Sequence, residues 1–257
     1  MAPWSRPVAI VPLRGAIGLT VRATDFLPLF DSLRRRRTVK AVVVDIDSPG
    51  GTVSGSDRIY EALTRLAAEK PVIAFSGELC ASGGYLIACA AHRLVVQPAA
   101  VVGSIGVISV HPIAVDFLHR YGLDVRVTKT GALKDSGAFW REPNEQDIAK
   151  EEALVGEFFN LFVERIELGR KMDPIRIREL ATGEVFSGRQ AVANGLADQL
   201  GNLDDAVQLA ASEAGVRPRS RWYGVRRPLR ARVLGSFASQ LADQFEERLL
   251  GTSRPRF

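Results

Sequence analysis

The stretch that most limits what this chain can fold into is residues 41–75. Ala41-Val42-Val43-Val44-Asp45-Ile46 is a short run dominated by β-branched residues, and it stops at Asp47-Ser48-Pro49-Gly50-Gly51, which breaks regular structure. Ser56-Asp57 then reads as the cap of a helix with Ile59, Leu63 and Leu66 on one side, and Pro71-Val72-Ile73-Ala74-Phe75 as the next strand. Strand, glycine turn, helix and strand in that order make a βαβ unit. Its two strands run parallel, and a parallel sheet needs helices over its faces. The expected class is α/β.

The rest of the chain fits this frame. Val8-Ala9-Ile10-Val11 reads as a first strand; Pro12 and Arg14 break the run too early for a signal peptide. Residues 25–37 read as a helix ending in Arg34-Arg35-Arg36-Arg37, where cations suit the helix dipole. Tyr85 to Ala91 is helix-compatible, and 93–96 and 125–128 read as strands. Asn144 is a plausible N-cap for a long helix to about Lys171, with Leu154, Phe158, Leu161, Phe162 and Ile166 as its apolar stripe. Smaller helical pieces follow over 174–216.

Charge is unevenly placed. The total is +5, yet residues 217–257 hold ten arginines against three acids, a net of +7, which leaves the first 216 residues at −2. The body thus has no electrostatic case for a nucleic-acid partner. Residues 217–232 contain seven arginines and no acid, and 233–250 read as an amphipathic helix with Val233, Phe237, Leu241, Phe245 and Leu249 at spacing four. Such a tail suits either an anionic membrane surface or a neighbouring subunit. The expected organisation is a catalytic domain over 1–216 and a basic tail over 217–257. No run of about 18 apolar residues is present, so no transmembrane helix is expected, and the chain is placed in the cytoplasm or peripherally on a membrane. Cys80 and Cys89 make no metal pattern and read as buried thiols.

Three elements carry chemistry. Ser82 stands between a strand and a helix and is followed by Gly83-Gly84, which let a substrate approach the backbone and leave free N–H groups at the helix start. Alone, it reads as a structural turn first, because Ser-Gly-Gly occurs in many turns. A serine nucleophile needs a base, and none of His92, His111 and His119 stands in a motif that nominates it. A lysine serves if desolvation or a nearby cation lowers its pKa. Lys134 follows Gly131-Ala132-Leu133, a small apolar approach able to bury its stem, although alone it also reads as a solvated loop lysine. Third, the Pro49-Gly50-Gly51 turn presents backbone N–H groups at a strand's carboxyl end, where α/β sheets bind ligands.

Taken in order, Asp-Ser-Pro-Gly-Gly (47–51), Ala-Ser-Gly-Gly-Tyr-Leu-Ile-Ala (81–88), Gly-Ser-Ile-Gly-Val (103–107) and Gly-Ala-Leu-Lys-Asp (131–135) resemble the signal peptide peptidase A (protease IV) family. Phe186-Ser187-Gly188-Arg189-Gln190-Ala191 and Gly195-Leu196-Ala197-Asp198 look like its closing segment. The resemblance implies a crotonase/Clp-protease-like fold of repeated ββα units. It implies Ser82 as nucleophile, Lys134 as base, and the N–H groups of Gly51 and Gly83 as the oxyanion hole, with no metal and no cofactor. It implies a peptide substrate, such as a remnant signal peptide or apolar segment, and a homo-oligomer with the catalytic pair at or near subunit contacts. The sequence departs from the family at Leu133, where an aromatic residue is common, and in the loosely matching residues 137–141, and it is expected to lack the family's N-terminal membrane anchor. The alternatives are a crotonase-like acyl-thioester enzyme and a non-catalytic peptide-binding scaffold.

Overall fold

The computed structural model describes residues 6–225. In chain order the elements are β1 (Val8–Arg14), α1 (Ala23–Arg35), β2 (Ala41–Asp47), α2 (Val53–Ala67), β3 (Val72–Ser76), β4 (Leu79–Ala81), α3 (Gly83–Ala88), β5 (Arg93–Val96), β6 (Val101–Gly103), α4 (Val115–Arg120), α5 (Glu145–Arg170), α6 (Pro174–Leu180), β7 (Val185–Ser187), α7 (Gly188–Ala193), β8 (Gln199–Leu200), α8 (Leu203–Glu213) and β9 (Ser220–Trp222).

The fold is α/β. Six parallel strands form one sheet in the order β8-β5-β3-β2-β1-β9. β1 and β2 are buried along almost their whole length, which explains their continuous rather than alternating apolar character. One face, with Val8, Ile10, Val43, Ile73 and Val95, packs on Ala206, Val207, Ala210 and Ala211 of α8. Pro12 is tolerated inside β1 because β9 covers that strand only at Val8–Ile10, so Pro12 faces no outer partner. The compact unit takes in β9 and runs to Tyr223.

A second, three-stranded sheet runs β4-β6-β7, with β4 and β6 parallel and β6 and β7 antiparallel. A single bridge between Ser48 and Cys80 links the two sheets: the Ser48 N–H donates to the Leu79 carbonyl (2.7 Å) and the Ala81 N–H to the Ser48 carbonyl (3.0 Å). The glycine turn after β2 is thereby fixed against the strand that leads into Ser82.

Several elements differ from expectation. α2 starts at Val53 with Thr52 as N-cap, and Ser56 is a buried residue inside the helix whose hydroxyl donates to the Thr52 carbonyl (2.9 Å) instead of capping. Residues 125–128 pair with no strand among the described residues; Val125 and Val127 are exposed, so their β-branched character finds no ladder to join. Asn144 does cap α5, in a reciprocal capping box with Asp147 (2.9 and 3.0 Å). Of the α5 stripe, Phe162 and Ile166 are buried whereas Leu154 is exposed. Residues 226–232 and the helix expected over 233–250 lie outside the described residues.

Candidate active site

Ser82 is the N-cap of α3 and adopts φ 49°, ψ −121°, in the left-handed half of backbone space that a residue with a Cβ rarely occupies. Such a conformation costs about 1–3 kcal/mol and persists only where neighbours enforce it. Here they do. The Ser82 N–H donates to the Gly103 carbonyl (2.8 Å), and its own carbonyl accepts from the Leu86 N–H (2.9 Å) as the first bond of α3. Ser104, next to that anchoring carbonyl, also has positive φ (50°), and its N–H is held by the Glu184 carbonyl at 2.7 Å.

The turn 48–51 lies against this elbow. A Cβ placed on Gly83 would meet the Ser56 Oγ at 2.1 Å, so only glycine fits the first position of α3. Gly51, with φ 150°, sits in a parallel bridge with Ile17: the Ile17 N–H donates to Gly50 O (2.7 Å) and the Thr52 N–H to Ile17 O (3.0 Å). In that pattern the flanking groups bond to Ile17 while the N–H of Gly51 itself points the other way. The buried Ser48 hydroxyl donates to Gly15 O (2.7 Å) and accepts from the Gly50 N–H (3.1 Å), which locks the turn. The sequence reading passed over Ser48 and Gly50 as individual residues; the mixed small-polar turn was visible, but which of its groups faced inward was not.

Ser82, Gly51 and Gly83 line one cavity of about 100 Å³. Beside the Ser56 and Ser82 hydroxyls its walls are mostly apolar: Val53 and Leu86, Val107 and Ile108 after β6, and Phe158, Leu161 and Phe162 from α5. Among the described residues no charged side chain lines it. The apolar stripe on α5, which periodicity alone marks as core, here serves partly as a wall of the site.

Lys134 lies elsewhere. It sits in a short 3₁₀ turn (Ala132–Asp135), is exposed, and lines a separate open cavity of about 640 Å³ with Pro112, Val127, Lys129, Phe139 and Trp140. Within one chain its stem is not buried, contrary to expectation, because residues 104–143 form an arm that leaves much of its apolar surface open: Ile108 is 87%, Val110 77% and Phe117 61% exposed. The turn itself is firmly held. Asp135 accepts from Lys129 Nζ (2.6 Å) and Arg141 Nη2 (2.9 Å), and Arg141 also grips Asp147 at the start of α5. These hydrogen bonds keep the Asp135 and Asp147 carboxyls below the usual carboxylate range.

The histidines do not make a rival site. The Ser109 Oγ and the Glu151 Oε1 both approach the same ring nitrogen of His111, Nε2, at 3.1 and 2.9 Å, whereas a relay uses both nitrogens. His92 accepts the Val72 N–H through Nδ1 (3.1 Å), and His119 faces Asp124 at the surface. Among the described residues no three His, Cys, Asp or Glu side chains gather as a metal site. Cys80 and Cys89 are buried free thiols, and burial pushes the Cys89 thiol up to about 12.

The model of peptidase family S49 matches residues 64–217, a span that runs from within α2 through α3 and α5 to just beyond α8. The chain belongs to peptidase family S49. An S49 relative in Synechocystis sp., named as a candidate protease, is 35% identical over 215 residues, 83% of this chain and 76% of that protein. The Arabidopsis thaliana protein named as the chloroplastic serine protease SPPA is 31% identical over 202 residues, 77% of this chain but 30% of its own length. Protease 4 of Salmonella typhi is 36% identical over 187 residues, 72% of this chain and 29% of the relative. The chain thus spans most of one S49 relative and under a third of two others. By family it is a peptidase, and among its described residues no helix is long and apolar enough to cross a membrane.

Proposed function

We propose that this S49 chain is a serine endopeptidase in which Ser82 is the nucleophile and Lys134 the general base, brought into one site by two copies of the chain. The observation that carries the reading is the enforced left-handed backbone of Ser82 at the start of α3, with Gly51 and Gly83 on the same small cavity. Such strain is stored where function needs a side chain held at one point. The named serine protease among the relatives supports the same chemistry.

Lys134 enters from a second copy. The arm that carries it exposes a row of apolar side chains, and covering them on another subunit would also desolvate the lysine. Neutral Lys134 takes the proton of the Ser82 hydroxyl as the oxygen attacks the peptide carbonyl. The N–H groups of Gly51 and Gly83 receive the oxyanion; loss of one such donor typically costs about 10²–10³ in rate. The lysine ammonium then protonates the departing amine. A water, deprotonated by Lys134, cleaves the acyl-enzyme and frees Ser82. A small cavity with largely apolar walls favours a small aliphatic residue on the acyl side of the cut, in peptides such as remnant signal sequences.

The test is peptide hydrolysis by Ser82→Ala and Lys134→Ala, together with a fluorophosphonate serine probe read by peptide mass. Both folded variants are expected to lose activity by about 10³-fold or more, and the label to fall on Ser82. Full activity in either variant, or a label elsewhere, rejects the assignment.

A further inference from the structure

The end of the main sheet remote from Ser82 is strongly basic. Arg6 precedes β1, Lys40 precedes β2 and Arg219 precedes β9; these strands are parallel neighbours, so their starts lie at one end. The Lys40 N–H donates to Pro7 O (2.7 Å) and the Val8 N–H to Arg219 O (3.2 Å), which fixes the three starts together. Arg36 and Arg37, just past α1, join them. The guanidinium of Arg36 lies 5.5 Å from the Tyr223 ring centre and that of Arg221 5.8 Å from the same ring. All six cations are exposed. Two acidic residues of this region, Asp31 and Glu69, are engaged elsewhere: Asp31 holds Arg34 and Arg35, and Glu69 holds Arg34. Among the described residues no ion pair engages Arg36, Arg37, Lys40 or Arg221.

We propose that this end of the sheet docks on an anionic lipid bilayer. Cations gathered at one end of a sheet, as Arg36, Arg37, Lys40 and Arg221 are, attract anionic headgroups, and each contributes about a fivefold gain in partitioning. A bilayer interface also accepts apolar side chains, which a phosphate backbone does not. Trp222 on the same edge strand is exposed, and the sequence continues through Arg226, Arg227, Arg230 and Arg232 to apolar residues at spacing four from Val233 to Leu249. The charge is local, because the first 216 residues are net negative. The inference is independent of the catalytic assignment. It sets the Ser82 cavity away from the lipid: the glycine turn follows the carboxyl end of β2, and seven residues of strand span about 23 Å.

The test is vesicle co-sedimentation of the full-length chain. Partitioning is expected onto phosphatidylcholine vesicles with about 30% phosphatidylserine, not onto pure phosphatidylcholine, and to fall steeply between about 0.1 and 0.5 M salt. The triple reversal Arg36→Glu/Arg37→Glu/Lys40→Glu should weaken it about 100-fold or more. The milder pair Arg37→Gln/Arg221→Gln should weaken it about 25-fold and guards against a folding defect, checked by circular dichroism and thermal midpoint. Equal binding to neutral and anionic vesicles, or binding unchanged in both folded variants, overturns the proposal. So does salt-sensitive binding to a DNA duplex without binding to vesicles.

Discussion

Gly50 lies directly against Ser82. A Cβ placed on Gly50 would stand 2.7 Å from the Ser82 Cβ and 3.0 Å from its Oγ, and 2.7 Å from the Gly83 nitrogen. Gly50 also has φ 95°, which a residue with a Cβ resists. Gly50→Ala should therefore displace Ser82, the proposed nucleophile, and an N–H facing it, cutting kcat by about 100-fold or more and lowering the thermal midpoint. Gly77→Ala is the control: a Cβ there meets its neighbours at 3.5 Å or more, without a positive φ, and activity should hold.

If the catalytic pair spans two chains, inactive variants should complement each other. Ser82→Ala keeps Lys134 and Lys134→Ala keeps Ser82, so a mixed oligomer contains some intact sites. Co-refolded equal mixtures should recover about a quarter of wild-type activity, because a random pairing joins the two intact residues one time in four. No recovery in an assembly shown by native mass spectrometry to be mixed would place both residues in one chain.

The two cysteines should be inert. Cys80 and Cys89 are fully buried, and burial raises both thiols, so the thiolate is scarce at neutral pH. Iodoacetamide at about pH 8 should label neither in the native protein and both after denaturation. Native labelling that matches the rate of a free thiol would contradict the packing around α3.

Acid should loosen the Lys134 turn. The Arg141 guanidinium donates to both carboxylate oxygens of Asp147, and the Asn144 N–H adds a third bond, so the folded pKa lies below its ordinary value. A depressed carboxylate stabilises the fold above the unfolded pKa of about 3.9 and ceases to do so as pH falls through the folded value. Hydrogen-exchange protection in residues 132–148, corrected for the pH dependence of the intrinsic exchange rate, should fall as pH drops from about 5 to 2. Arg141→Met should already exchange fast at neutral pH, with less further change in acid.

Much of the fold was legible in sequence because its signals are local. The β-branched run 41–46, its Pro-Gly-Gly stop and the apolar spacing 59, 63 and 66 announce β2, the turn and α2 without tertiary information. Asn144 with Asp147 announces the start of α5 in the same way. Ser56 misled because a serine before an apolar run resembles a cap, yet its hydroxyl bonds one turn back inside α2. Val125 to Thr128 misled because strand propensity needs a partner to be realised, and none adjoins that segment among the described residues.

By itself, the sequence determined a parallel α/β sheet, the glycine turns at 50–51 and 83–84, and Ser82 and Lys134 as the candidates for chemistry. Only the tertiary structure decided that Gly50 and Ser82 touch, and it did so through the Ser48–Cys80 bridge between two sheets whose pairing no local pattern encodes. It also put Lys134 on an exposed arm, on a different cavity from Ser82. The physical reason is that turn and helix signals arise from neighbours in sequence, whereas the meeting of a nucleophile with its base depends on long-range packing and on whatever surface covers the apolar arm.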